Sequence, residues 1–181
     1  LKLIIADRKK LPQKLIKELA KDTDFTVKDS IARRLDLDYS LVKELAMDED
    51  ILIRCTIIQR SDIGDDLIKQ FVEDRNYFAR IEVALRPDLN EQFIQTLAED
   101  ENDDVRRAIA SHPSLNENLI EKLLKDENDG VRYEIAFRSD LNDEVIKTLA
   151  KDKDKYIRCE VACKPIISDE LIQKLAKDED D

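Results

Sequence analysis

The sequence predicts an all-α fold, a right-handed α-solenoid (superhelix) of 26-residue two-helix repeats. Three observations lead there. Stepping by 26 from Leu11 lands on Leu37, Ile63, Leu89, Leu115, Leu141 and Ile167 without an insertion or deletion, and periods of this length mark stacked repeats. Inside each period the apolar residues recur at i, i+4, i+5 and i+8, which is one face of a helix and not the alternation of a strand. Asp or Asn also returns at two places per period, where a helix start needs an acceptor for its free amide protons.

The opening stretch, residues 1–10, overlays the second helix of a preceding repeat, with Leu1, Lys2, Ile5-Ala6 and Arg8 in the matching columns. Full repeats then start at 11, 37, 63, 89, 115 and 141, and a partial repeat covers 167–181. They are expected to form one repeat domain. Because the chain starts without methionine and stops at "KDEDD", in a turn between helices, it is expected to be a window on a longer protein.

The first helix of each repeat carries Leu15, Leu41, Leu67, Phe93, Leu119, Val145 and Leu171, each followed by Ile or Val. Its caps are Asp38, Asn90, Asn116, Asn142 and Ser168, and the flanking Leu or Ile forms a hydrophobic staple with the Ile or Val at the fourth helical position. Pro12 and Gly64 have no side-chain acceptor, so those two starts should be weaker.

The second helix is capped by Asp24, Asp50, Asn76, Asn102, Asn128 and Asp154. Its core pairs are Val27/Ile31, Ile53/Ile57, Ala79/Val83, Val105/Ile109, Val131/Ile135 and Ile157/Val161, mostly followed by Ala, which allows close helix approach. Pro87, Pro113 and Pro165 are expected to stop three of these helices, since proline has no amide proton to donate. Helices of about nine residues fall below the roughly 12–15 that persist alone in water, so a single repeat cannot stand without its neighbours.

Two residues before each second-helix cap stands an Asp, including Asp48, Asp74, Asp100, Asp126 and Asp152, and six residues beyond it comes Arg54, Arg80, Arg106, Arg132 or Arg158, with Lys28 in the first full repeat. An arginine at the edge of a helical core needs a partner, and its planar fork can hold a carboxylate and a helix-end carbonyl together. These columns are expected to form a structural ladder between repeats. The alternative use is an anion-binding stripe.

Composition narrows the functional classes. With 42 acidic against 31 basic residues the net charge is -11, which disfavours nucleic acid and anionic membranes as general partners. No apolar run approaches the length of a bilayer span, and no signal-peptide pattern opens the chain. Three cysteines are too few for a disulfide framework and fit a reducing compartment, so a cytoplasmic location is expected. Two glycines leave little room for phosphate-cradling loops, and a single histidine offers no nucleophile–base pair, so no catalytic residue and no enzyme activity are expected. "DENDG" at 126–130 misses the calcium-loop pattern in register, and Cys159 with Cys163 supplies at most half a zinc site, so no metal is expected. His112, in a column otherwise held by Arg34, Arg60, Arg86, Arg138 and Lys164, is expected to be a surface variant.

The skeleton Leu-Ala-x-Asp-x-Asp/Asn-x-x-Val-Arg-x-x-Ile-Ala, clearest in "LAEDENDDVRRAIASHPSLNENLI" at 97–120, closely resembles the leucine-rich repeat variant family and the broader HEAT-like helical repeats. The resemblance covers nearly the whole chain. It implies a binding scaffold with no cofactor, since the cysteine-rich iron–sulfur segment of some leucine-rich repeat variants has no counterpart here. It also implies that second helices line a concave face.

On that face the positions one before, two after and six after the core Val should point outward, yet many are apolar: Leu52, Phe78, Ile81, Leu85, Tyr133, Phe137 and Tyr156. Exposed apolar patches of this kind mark binding sites; the alternative is that superhelical curvature buries these residues against neighbouring rungs. The favoured function is a non-catalytic, monomeric scaffold that takes a peptide or helix from a protein partner along these residues, with Arg107 fixing register. The alternative resembles the HEAT-like alkylpurine DNA glycosylases and would bind nucleic acid through the basic column from Arg34 to Lys164. A helper subunit like the HEAT-like bilin lyases has no residue in its favour.

Overall fold

The computed structural model describes residues 1–165 and 167–178, and among them there are fourteen α-helices and no strand. The chain divides into two compact units, Leu1–Arg86 and Pro87–Asp181, and the division falls at a repeat boundary.

In the first unit α1 (Lys2–Ala6) is a lone second helix. The pairs that follow are α2 (Gln13–Leu19) with α3 (Phe25–Ala32), α4 (Tyr39–Ala46) with α5 (Ile51–Ile58), and α6 (Asp65–Val72) with α7 (Tyr77–Ala84). In the second unit the pairs are α8 (Glu91–Ala98) with α9 (Asp103–Ala110), α10 (Glu117–Leu123) with α11 (Asp129–Phe137), and α12 (Asp143–Leu149) with α13 (Lys155–Ala162), followed by a lone first helix, α14 (Asp169–Leu175). Within each unit every helix pair packs on the next, the arrangement of a helical repeat solenoid.

The caps follow the sequence columns. Asp38, Asn90, Asn116, Asn142 and Ser168 each accept from the third amide of their helix, while Pro12 and Gly64 make no side-chain cap. All six second-helix caps also accept early amide protons. The core is built from the same stripes. Ile53, Ile57, Val83, Val105, Ile109, Val131, Ile135, Ile157 and Val161 are fully buried, as are Ala32, Ala110 and Ala136 beside them. At about 25 cal/mol per Å² of buried apolar surface, stacking supplies the stability that helices this short lack.

Proline does not set the second-helix ends. α3 and α5 end in the same column as α7, α9 and α13 although Leu35 and Ser61 stand where the others have proline. At α3, α5 and α9 a basic residue from the next repeat, Arg60, Arg86 or Arg138, takes the last carbonyls. Among the described residues no backbone enters the left-handed region, at glycine or elsewhere, so the usual glycine cap of a helix C-terminus is not used.

Candidate functional site

The Asp–Arg columns join consecutive repeats. Arg54 donates through Nε and Nη2 to both carboxylate oxygens of Asp74 at 2.8 and 2.9 Å, and through Nη1 to the carbonyls of Asp48 and Glu49. Arg106 grips Asp126 at 2.7 and 2.9 Å, Arg132 grips Asp152 at 2.8 and 3.0 Å, and Arg158 holds Asp178 in the same fashion. Arg80 donates to the carbonyl of Asp74 at 2.7 Å, and Asp100 to Asn102 repeats the turn seen at each rung, its carboxylate accepting the cap residue's amide proton at 2.9 Å. Within each unit, Arg54, Arg106, Arg132 and Arg158 therefore tie the turn of their own repeat to the carboxylate of the following one.

Burial alone would raise the Asp126 carboxyl. The Arg106 bond, the Asn128 amide and the guanidinium charge outweigh it and hold the group below the ordinary carboxylate value of 3.8. Asp152 is lowered by the same balance around Arg132. Two of the four bonds made by Arg54, Arg106 and Arg132 go to carbonyls, so these arginines present little to a solute.

The second basic column is not a surface groove. Arg60 and Arg86 are buried, and Arg138 is nearly so. Arg34 donates to the carbonyls of Ala6 and Arg8 at 2.9 and 2.7 Å, Arg60 to those of Ala32 and Arg34, Arg86 to those of Ile58 and Arg60, and Arg138 to those of Ala110 and His112. Lys164 reaches the carbonyl of Arg138 at 2.7 Å, and burial pulls its amine below the ordinary value. Each side chain thus closes the C-terminus of the preceding second helix, the job a left-handed glycine would otherwise do. The fork's other side pairs with an Asp two residues on, at Asp36, Asp62 and Asp140.

His112 is not a surface variant either. It is only 3% exposed, and its Nδ1 accepts the amide proton of Ser114. Arginine and its Asp are replaced together there, by His and Ser. The pairing of those two columns was visible in the sequence as a covarying repeat position.

"DENDG" is accounted for by caps and ladder. Asp126 pairs with Arg106, Asn128 caps α11, and Asp129 accepts the amide proton of Gly130. Among the described residues no three His, Cys, Asp or Glu side chains are placed to hold a metal ion. Cys159 and Cys163 are exposed, whereas burial, with Glu82 adding to it, pushes the Cys55 thiol up to about 11. No helix among the described residues is long and apolar enough to cross a membrane.

The outward positions of the second helices are open to solvent in both units. In the first, Phe78 is 54% and Leu85 58% exposed, with Leu52 on α5 equally open and Ile81 partly covered. Phe78 stacks on Tyr77 with ring centroids 4.3 Å apart. In the second unit Phe137 is 66% and Tyr156 65% exposed, and Tyr133 is on the border of exposure. Tyr133 and Phe137 stand one turn apart on α11, and the Tyr133 hydroxyl donates to Glu160 Oε2 on α13 over a long 3.4 Å. Arg107 on α9 is solvated and pairs with Asp104 at 3.5 Å. The half-buried Glu134 and Glu160, three residues after the core Val or Ile, escaped notice in the sequence. The signal was a recurring acid at that place, with Glu82 in the first unit.

Helix pairs stacked by inter-repeat arginines define a two-helix repeat protein. No family model and no curated protein matches the sequence. Among solved structures the chain is similar to one described as "a leucine-rich repeat variant with a novel repetitive protein structural motif", with a TM-score of 0.73 and 27% identity, over 90% of this chain and 64% of that one. The likeness to a leucine-rich repeat variant that the repeat skeleton carries thus extends to three dimensions, and this chain spans 64% of that structure's length.

Proposed function

We propose that the chain is a non-catalytic scaffold that binds a peptide or helix of a protein partner along the outward face of its second helices. The observation that carries this is the exposure of Phe78, Leu85, Phe137 and Tyr156 on helices whose opposite face is fully buried. Large apolar side chains on the outward face of each unit leave apolar surface for a partner to cover. Packing adds support. Within each unit second helices lie closely against their successors, as α11 does on α9 and α13, so outward side chains follow one another from rung to rung. A row of that kind suits an elongated ligand.

Nucleic-acid binding loses its main support, because the basic column proposed to line a groove is committed to helix-end carbonyls. The test is a Phe78→Ala, Phe137→Ala double variant. Immobilised wild-type chain should retain partner proteins that the variant releases, while both melt at nearly the same temperature. A large drop in the melting temperature would mean that these rings are core. An unchanged set of captured proteins would mean that the face is not the binding surface. Duplex DNA should give no salt-sensitive mobility shift.

A further inference from the structure

On the second-helix face of the unit Pro87–Asp181, two carboxylates sit among the exposed rings. Tyr133 and Phe137 follow each other on α11, with Glu134 beside them. Tyr156 and Glu160 follow each other on α13, which packs against α11. The Tyr133–Glu160 bond joins the two helices. Glu134 and Glu160 are each half-buried, and among the described residues neither forms a salt bridge, although Glu160 attracts the Lys164 ammonium from a distance. The ladder and capping acids around them are committed.

We propose that this face recognises a cationic, partly apolar protein segment, its Lys or Arg head groups taken by Glu134 and Glu160 and its stems lying on Tyr133, Phe137 and Tyr156. The proposal rests on the interaction reading above and names the partner's chemistry. Any partner that covers Tyr133 and Phe137 also covers the two glutamates. A purely apolar helix would strand both charges away from water, which is expensive, and an acidic one would add repulsion. A cationic segment removes the penalty, because half-buried carboxylates beside apolar rings attract a positive group more strongly than fully solvated ones do.

The rings add to this attraction, since an aromatic face draws cations. The chain's own Lys155 already places its ammonium 5.5 Å from the centre of the Tyr156 ring. The local field is negative as well: Glu160 first, then burial and the Glu160 hydrogen bond, with Glu134 adding to them, hold the Tyr133 hydroxyl above its ordinary value. In the other unit the matching acid, Glu82, already accepts from Gln59 Nε2 at 3.0 Å.

The experiment measures fluorescence anisotropy of a labelled amphipathic helical peptide of leucine and arginine, and of a counterpart with glutamate in place of arginine, against the whole chain. The arginine peptide should bind and the glutamate peptide should not. Glu134→Gln with Glu160→Gln should weaken binding about tenfold, as expected for losing two ion pairs. Glu117→Gln with Glu121→Gln, on the opposite face of the same unit, is the control and should leave affinity unchanged. Equal losses in both pairs would overturn the proposal in favour of attraction by bulk charge. If Phe137→Ala abolishes binding while the Glu134/Glu160 pair has no effect, the cationic preference is wrong and the interaction face stands. If no variant changes binding, or neither peptide binds, both readings fall.

Discussion

The rungs at Lys28 and at Arg132 hold the same place in the repeat and face the same carboxylate column, yet they are built differently. Lys28 makes one bond, to Asp48 Oδ2 at 2.8 Å, and its side chain keeps 21% exposure. Arg132 makes two bonds to Asp152 and reaches the carbonyls of Asp126 and Glu127 as well, with 5% exposure. The difference lies in the donor. An ammonium is a compact point that serves one acceptor well here, whereas a guanidinium presents a rigid fork to a carboxylate on one side and helix-end carbonyls on the other. In a protein with two glycines, none of them closing a helix C-terminus in the left-handed conformation, the fork does work that a lysine cannot.

Acid should have the largest effect, because it removes the carboxylate acceptors of the arginine rungs at Asp126 and Asp152. Asp126 and Asp152 have folded values below 3.8, so they favour the folded state fully above that value and lose the contribution as pH falls through the lower folded value. Helical circular dichroism should hold from neutral pH down to about 4 and then fall cooperatively. A flat trace through that window would mean that the rungs add nothing to stability.

Removing one acceptor is the next largest change. Asp126→Ala leaves the shielded Arg106 without its carboxylate and the Asn128 amide without its acceptor. It should cost about 2–4 kcal/mol in urea unfolding. Arg106→Met, which leaves no stranded cation, should cost less than Asp126→Ala. The reverse order would refute the account of the ladder as a compensated charge.

Exchanging the donors sharpens the contrast between the two rungs. Arg132→Lys keeps the charge but forfeits the fork, and should cost about 1–2 kcal/mol through the lost carbonyl bonds. Lys28→Arg should do the opposite and raise the melting temperature by a few degrees, for a gain of about 0.5–1 kcal/mol. If Lys28→Arg destabilises instead, the first rung lacks the geometry of the others.

Local chemistry is what the sequence made legible. An Asp or Asn cap acts within three residues of itself, and an i, i+4 stripe defines its own buried face. Asn102 before Val105 and Ile109 therefore announces a helix, its start and its core side without knowledge of any neighbour. The fixed period carried this from repeat to repeat, and through it the stacking and the likeness to a leucine-rich repeat variant. Tertiary structure alone decided the fate of residues whose partner one repeat away is backbone, or a side chain outside the repeating charged columns. Arg60 reads as a surface base in the sequence, because the carbonyls it serves, those of Ala32 and Arg34, belong to backbone 26 and 28 residues earlier and have no letter of their own. Glu134 and Glu160 read as ordinary solvated acids until the packing of α11 on α13 brings Glu160 against Tyr133. The exposure of Phe137 likewise follows from what the stack leaves uncovered, because an apolar side chain carries no mark of which surface will come to rest beside it.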